Sequence, residues 1–131
     1  MSLINEIHRY WAKEPNIQEA FGSNSLYLTN QPPATPKPYA IVDVGRSMTV
    51  LETSGLSYVE ALPFTIEITA DTFPLIDDLA EIVMAAFDRR KWHPSVIVCR
   101  RKGYQLPRNE SGIFTAILDY EVQYQRAFIG D

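Results

Sequence analysis

Two stretches of this chain alternate between apolar and polar residues, and this period of two constrains the fold more than any other feature of the sequence. Successive side chains of a β-strand point to opposite faces, so such a strand has one face for a core and one for water. The apolar positions are Leu62, Phe64, Ile66, Ile68 and Ala70 in residues 62–71, and Phe114, Ala116, Leu118, Tyr120, Val122 and Tyr124 in residues 113–125. We therefore predict two long strands that share one buried sheet face.

The segment after the first of these strands has the period of an amphipathic α-helix. Its apolar stripe consists of Leu75, Ile76, Leu79, Ile82, Val83, Ala86 and Phe87, with Asp77, Asp78, Glu81 and Asp88 on the other side. Pro74 is tolerated in a first helical turn, and Pro94 prevents continuation of the helix. The pattern predicts a helix with Pro74 in its first turn, whose apolar stripe at residues 75–87 packs on the apolar face of the sheet.

Shorter patterns complete the expected order of elements. A first helix is predicted over residues 3–13 and closed by Pro15, and a stiff proline-rich connector is predicted over residues 30–38. Further strands are expected at Tyr39–Val44, Met48–Glu52, residues 56–60 and residues 96–101, with a long hairpin loop at residues 102–112. The predicted fold class is α+β, a largely antiparallel β-sheet with two helices packed on one face.

The length of 131 residues predicts a single domain spanning residues 1–131. The first residues have neither the basic flank nor the apolar core of a signal peptide, and no window approaches the roughly 20 apolar residues of a membrane span. One cysteine, Cys99, cannot form an intramolecular disulfide. We therefore expect a cytoplasmic chain with no membrane partner.

Candidate chemical residues are few and scattered. His8, His93 and Cys99 have none of the short spacings that zinc sites use. Each is interpreted as an ordinary surface or core residue. The sequence also has no nucleophile elbow and no phosphate-binding glycine loop. We expect no catalytic, cofactor-binding or metal site, and therefore no enzyme.

Charge is divided sharply along the chain. Residues 43–88 contain nine acidic residues and one basic residue, a net charge of −8, whereas residues 89–108 contain seven basic residues and no acidic one. This division is compatible with an ordinary solvated surface, or with a dipolar surface suited to head-to-tail contact between copies of the chain.

The basic residues form two triplets, at positions 89–91 and 100–102. A strand of about six residues between them would separate the triplets by roughly 20 Å, at about 3.3 Å per residue. On that estimate they do not form one patch on a monomer. Specific nucleic-acid recognition is therefore not expected.

The order of elements resembles that of the tail-terminator, or tail-completion, proteins of long-tailed phages and prophages. The likeness covers nearly the whole chain, from an N-terminal helix through a proline-containing connector. It rests on the strand entry at residues 38–42, the alternating strand at 64–70, the helical segment at 79–87 and the closing strand at 112–124.

The resemblance implies a structural role in a virion tail that is assembled in the host cytoplasm. Members of this family form a ring, typically of six copies, which caps the tail tube, stops its growth and offers a surface for head attachment. The implied partners are other copies of the chain, the tail tube protein and a head-completion protein. Contacts with a subunit or the tube are expected at Arg46, Glu52, Tyr58, Arg100, Arg101, Lys102 and Arg108.

Two other interpretations remain open from the sequence. The chain is alternatively a head-side connector or a tube component of the same particle. It is otherwise a non-catalytic partner-binding module, for example of a toxin or secretion system. The mass of the assembly in solution would separate a ring from a monomer.

Overall fold

The computed structural model describes residues 3–23, 25–28, 38–52, 57–110 and 113–127. In these ranges the chain forms three helices, which are α1 (Leu3–Lys13), α2 (Pro15–Phe21) and α3 (Phe73–Phe87). It also forms six strands, which are β1 (Leu26–Leu28), β2 (Tyr39–Val44), β3 (Met48–Glu52), β4 (Ser57–Ala70), β5 (Val96–Glu110) and β6 (Ile113–Ala127). No helix within these ranges is long and apolar enough to cross a membrane.

All six strands belong to one sheet, in the order β1-β2-β4-β6-β5, and β3 pairs with β4 beyond the end of β2. The β1–β2 pair is parallel, and the other pairs are antiparallel. Because β4 and β5 both run antiparallel to β6, they run parallel to each other. Helix α3 therefore connects two parallel strands with β6 inserted between them.

The predicted fold class is wrong, because the sheet is mixed and there are three helices rather than two. The parallel strand β1 has only three residues, too few to show a period of two. Helix α2 was missed because Pro15 was interpreted as the end of α1. Proline is also favoured at the first position of a helix, and Pro15 occupies that position in α2. The predicted proline-rich connector lies, except for Pro38, outside the described residues.

Strand β5 continues through the segment predicted to be a hairpin loop. Its pairing with β6 begins with Val96 opposite Tyr124 and ends with Glu110 opposite Ile113. The register shifts at three points between these two pairs. Each shift interrupts the alternation of side chains between the two faces. The polar residues of this segment therefore lack a regular period, although their backbone belongs to the sheet.

Strands β2 and β3 pair successively with the same side of β4, and Gly45 lies at the break between them. The Gly45 amide donates to the Pro63 carbonyl oxygen at 2.8 Å. A Cβ atom at Gly45 would lie 2.9 Å from the Pro63 Cγ, so only glycine fits this approach without a shift. Strand β4 also merges the two strands that were predicted separately at residues 56–60 and 62–71. The residues that connect β3 to β4 are outside the described ranges.

A single core cluster joins the helices to one face of the sheet. It contains the even-numbered positions from Leu62 to Ala70 in β4 and from Ala116 to Tyr124 in β6. Except for Thr69, the odd-numbered positions described at residues 59–69 and 113–125 are exposed or half-buried. The helices therefore leave the other face of the sheet open.

An aromatic cluster centred on Phe87 packs α3 against this core. The Phe87 ring lies 5.2 Å from Tyr10, 5.9 Å from Tyr120, and 6.1 Å from both Phe64 and Trp92, measured between ring centroids. The Tyr10 hydroxyl also donates to the Ala86 carbonyl oxygen at 2.6 Å. These contacts join α1, α3, β4 and β6 at the C-terminal end of α3.

Candidate functional site

The residues predicted to contact a subunit or the tube fall into two groups on opposite sides of the sheet centre. Arg46 is exposed in the link between β2 and β3, and Glu52 is the register partner of Tyr58 across β3 and β4. Arg100, Arg101, Lys102 and Arg108 lie on β5, the outer strand beyond β6. The structure describes the side chains of Arg46, Arg100, Arg101 and Lys102 from this set, and all four residues are exposed.

The two basic triplets are adjacent in space, so the expected separation of roughly 20 Å is wrong. The chain turns back after α3, and the Arg89 amide donates to the Cys99 carbonyl oxygen at 2.7 Å. Arg89 makes this turn with a left-handed φ of 57°, a conformation that non-glycine residues rarely adopt. The first triplet therefore begins beside the second, at the part of β5 that pairs with the middle of β6.

Arg101 differs from its neighbours because it has partners inside its own chain. Its Nε lies 3.4 Å from Asp88 Oδ2, and its guanidinium also contacts the Met84 sulfur. The Tyr120 hydroxyl donates to the other Asp88 oxygen at 2.6 Å. Burial and this hydrogen bond raise the pKa of Tyr120, so the phenol remains a donor. Sequence patterns give no signal for this network, since Asp88 and Tyr120 are far apart along the chain.

The acidic segment does not form one patch in the folded chain. Asp43 and Glu67 lie on the open face of the sheet, where Asp119 and Glu121 of β6 share the same surface. Asp77, Asp78 and Glu81 are exposed on α3. Glu60 is buried and accepts a hydrogen bond from the Tyr124 hydroxyl at 2.7 Å. Folding therefore divides the acidic residues among the open face, the helix surface and the core.

Both histidines contact other residues of the chain. The His8 Nε2 lies 3.1 Å from the Leu26 carbonyl oxygen, which links α1 to β1. The His93 Nδ1 accepts a hydrogen bond from the Ser95 amide at 3.0 Å, and its Nε2 lies 3.7 Å from a Glu6 carboxylate oxygen. Within the described part of the chain, no group of three or more histidine, cysteine, aspartate or glutamate side chains could hold a metal ion.

The Cys99 thiol is fully buried in β5, at 0% exposure. Burial raises its pKa from the ordinary value of 9.0 to about 11, and the Asp88 carboxylate acts in the same direction. Because the thiolate is the reactive form, we expect Cys99 at pH 8 to react with a maleimide at least about 100-fold more slowly in the folded chain than in denaturant.

The rate of thiol labelling with and without denaturant checks this expectation, with the unfolded chain as its own reference. The unfolded thiol ionises near pH 9 and the folded thiol near pH 11. This difference predicts that stability falls as the pH rises through that interval, because the unfolded chain releases the proton first. Equal labelling rates in the folded and unfolded chains would contradict the burial of Cys99.

No protein-family profile matches the sequence, and no curated protein matches it significantly. Among solved structures, a chain of the "Virion of native gene transfer agent (GTA) particle" has a similar fold. The two chains superpose with a TM-score of 0.69 at 12% sequence identity, over 92% of each chain. The likeness therefore extends over nearly the whole of both chains, and at this identity it establishes a shared fold.

Proposed function

We propose that this chain is a structural, non-catalytic protein of a phage-like particle. The observation that carries this proposal is the shared fold with a chain of a gene transfer agent virion, which covers 92% of each chain. A match of this extent includes the helices and the sheet together, rather than one common supersecondary motif. A virion component acts through its surfaces, so its function depends on which partners those surfaces bind.

Within the particle, we assign the chain the role of tail terminator. In this role, six copies of the chain form a ring that caps the tail tube and offers a surface for a head-completion protein. The proposal is supported by the tail-terminator pattern of the sequence and by the concentration of exposed basic residues on and beside the outer strand β5. Arg100 and Lys102 lie on this strand, and both are exposed.

The decisive experiment mixes the purified chain with its own tail tube subunit and images the products by electron microscopy with a label on the chain. We expect the label at one end of each tube and a defined tube length. A label along the whole tube would indicate a tube component, and a label on the head portal would indicate a head-side connector. A chain that never associates with tubes or heads would overturn the virion proposal.

A charge-reversed variant tests whether the basic residues of β5 take part in capping. The appropriate variant is Arg100→Glu with Lys102→Glu, because Arg101 is held by Asp88 and its reversal would disturb the fold. We expect this variant to lose capping, while Lys13→Glu, an exposed change on α1, retains it. Unchanged capping and tube length in the double variant would exclude a role for these two charges.

A further inference from the structure

The N-terminal end of α3 exposes apolar side chains among acidic ones. Phe73 is 51% exposed and Leu75 is 37% exposed. The sequence pattern placed Leu75 in the buried stripe, but the buried face of α3 begins at Ile76. Asp77 and Asp78 follow on the exposed surface of the same helix. We call these four residues, Phe73, Leu75, Asp77 and Asp78, the acidic pole.

The C-terminal end of α3 has the opposite charge around another exposed apolar side chain. Ile97 is 48% exposed at the first register shift of β5. The hydrogen bond between Arg89 and Cys99 brings the residues after α3 beside this strand. We call Ile97 and the three basic residues that follow α3 the basic pole, which consists of Arg89, Arg90, Lys91 and Ile97.

The two poles lie at opposite ends of α3. Helix α3 has 15 residues, so it is about 22 Å long at 1.5 Å per residue. Its first turn lies beside the end of β4 and Phe114, because the rings of Phe73 and Phe114 are 6.1 Å apart. Its last turn lies near Tyr120 and Cys99. One helix thus holds the two poles at a constant separation.

We infer that the acidic pole of one copy binds the basic pole of a second copy of this chain. This inference rests on the proposed function, for which it identifies the contact between neighbouring copies. The two poles differ in sequence and charge, so the contact is heterologous and leaves a pole available on each partner. Repetition of such a contact produces a ring when the rotation between copies allows closure.

Charge complementarity and apolar exposure have different roles in this contact. Phe73, Leu75 and Ile97 supply apolar surface that is removed from water on association. Asp77 and Asp78 face basic residues of the partner, which sets the register and disfavours contact between two like poles. A nucleic acid would use the basic pole without the acidic one. The presence of a complementary pole on the same chain favours a second copy as the partner.

Pole-reversed variants of the full chain test this inference in the absence of a tube. One variant carries Asp77→Lys and Asp78→Lys, which makes both poles basic. The other carries Arg90→Glu and Lys91→Glu, which changes the net charge of the basic pole, with Arg89 counted, from +3 to −1 and so makes both poles acidic. We expect each variant alone to associate at least about 100-fold more weakly than the unaltered chain, because like charges then meet at the contact. Sedimentation equilibrium over a range of concentrations measures this change.

The mixture of the two variants gives the most specific result. In an equal mixture, every contact can again join opposite charges, but only between unlike variants. We expect association to return, with the two variants alternating, and native mass spectrometry would then find equal numbers of each. Alternation also requires an even number of copies in a closed ring.

Matched controls separate the poles from total charge. Glu19→Lys and Lys13→Glu change exposed residues on α2 and α1, and we expect both variants to associate as the unaltered chain does. An unaltered chain that stays monomeric at its solubility limit would overturn the inference. The same conclusion would follow if the mixture failed to associate, or if the basic pole bound duplex DNA while its reversal left self-association unchanged. Tube capping is measured separately, so its failure would count against the proposed function instead.

Discussion

Replacement of Phe87 by alanine is expected to reduce the free energy of unfolding by about 3–5 kcal/mol, as truncation of a buried aromatic side chain does. Phe87 is fully buried and contacts the rings of four residues, Tyr10, Phe64, Trp92 and Tyr120. Its removal leaves a cavity where α1, α3 and the sheet meet. Domains of this size are stabilised by only about 5–15 kcal/mol, so the loss is a large part of the total.

Chemical denaturation of the purified Phe87→Ala variant measures this loss, and Leu75→Ala provides a matched control on the same helix. Leu75 is 37% exposed, so its truncation is expected to cost less than about 1 kcal/mol. A thermal melt should show the same order, with a much larger decrease in Tm for Phe87→Ala. Equal costs for the two variants would mean that α3 does not pack on the sheet through Phe87.

The second large effect is expected at Trp11, where replacement by alanine should also cost about 3–5 kcal/mol. Trp11 is 2% exposed, and its ring lies 4.9 Å from that of Phe21 in α2. Its indole nitrogen donates to the Ser25 Oγ at 3.0 Å, which in turn donates to the Gly22 carbonyl oxygen at 2.9 Å. Trp11 therefore joins α1 to α2 and to the residue that precedes β1.

A double-mutant cycle separates the packing of Trp11 from its hydrogen bond. Trp11→Phe removes the donor and retains an aromatic ring, and Ser25→Ala removes the acceptor. We expect each to cost less than Trp11→Ala, and the pair to be non-additive by about 0.5–1.5 kcal/mol, the net contribution of one hydrogen bond. Strictly additive costs in denaturant unfolding would show that this hydrogen bond contributes nothing to stability.

Phe87 also connects the fold to the proposed interaction surface. Phe87 and Asp88 end α3 directly before the basic residues 89–91, and Tyr120 holds Asp88 against the core. The basic pole is therefore built on a rigid helix end rather than on a mobile loop. A variant that weakens this end of α3 should weaken self-association as well as stability.

Local patterns were sufficient for the two central strands and the main helix. The alternation of β4 and β6 and the stripe of α3 depend on neighbouring residues, since the period of an amphipathic element records which side is buried. Burial confirms each even position from Leu62 to Ala70. The exposure of Leu75 could not be read from its spacing, because it depends on where the sheet ends beneath the helix.

Charge along the chain predicted that acidic and basic residues would separate, but not where each group would lie. The separation of the two basic triplets was overestimated because it was calculated along an extended strand. The turn at Arg89 and its hydrogen bond to Cys99 bring them together. Conversely, Glu60, Glu67 and Asp77 belong to one acidic segment and lie in the core, on the open face and on a helix.

Local periodicity was enough to predict the buried faces of β4, β6 and most of α3, because a repeating pattern reflects which side of an element is buried. The parallel pairing of β1, the continuation of β5 and the network of Arg101, Asp88 and Tyr120 became evident in the folded structure. These features depend on contacts between residues that are distant in sequence, or on register shifts that remove the periodic signal. The same physical reason applies to the two poles, since α3 and the turn after it set their positions in space.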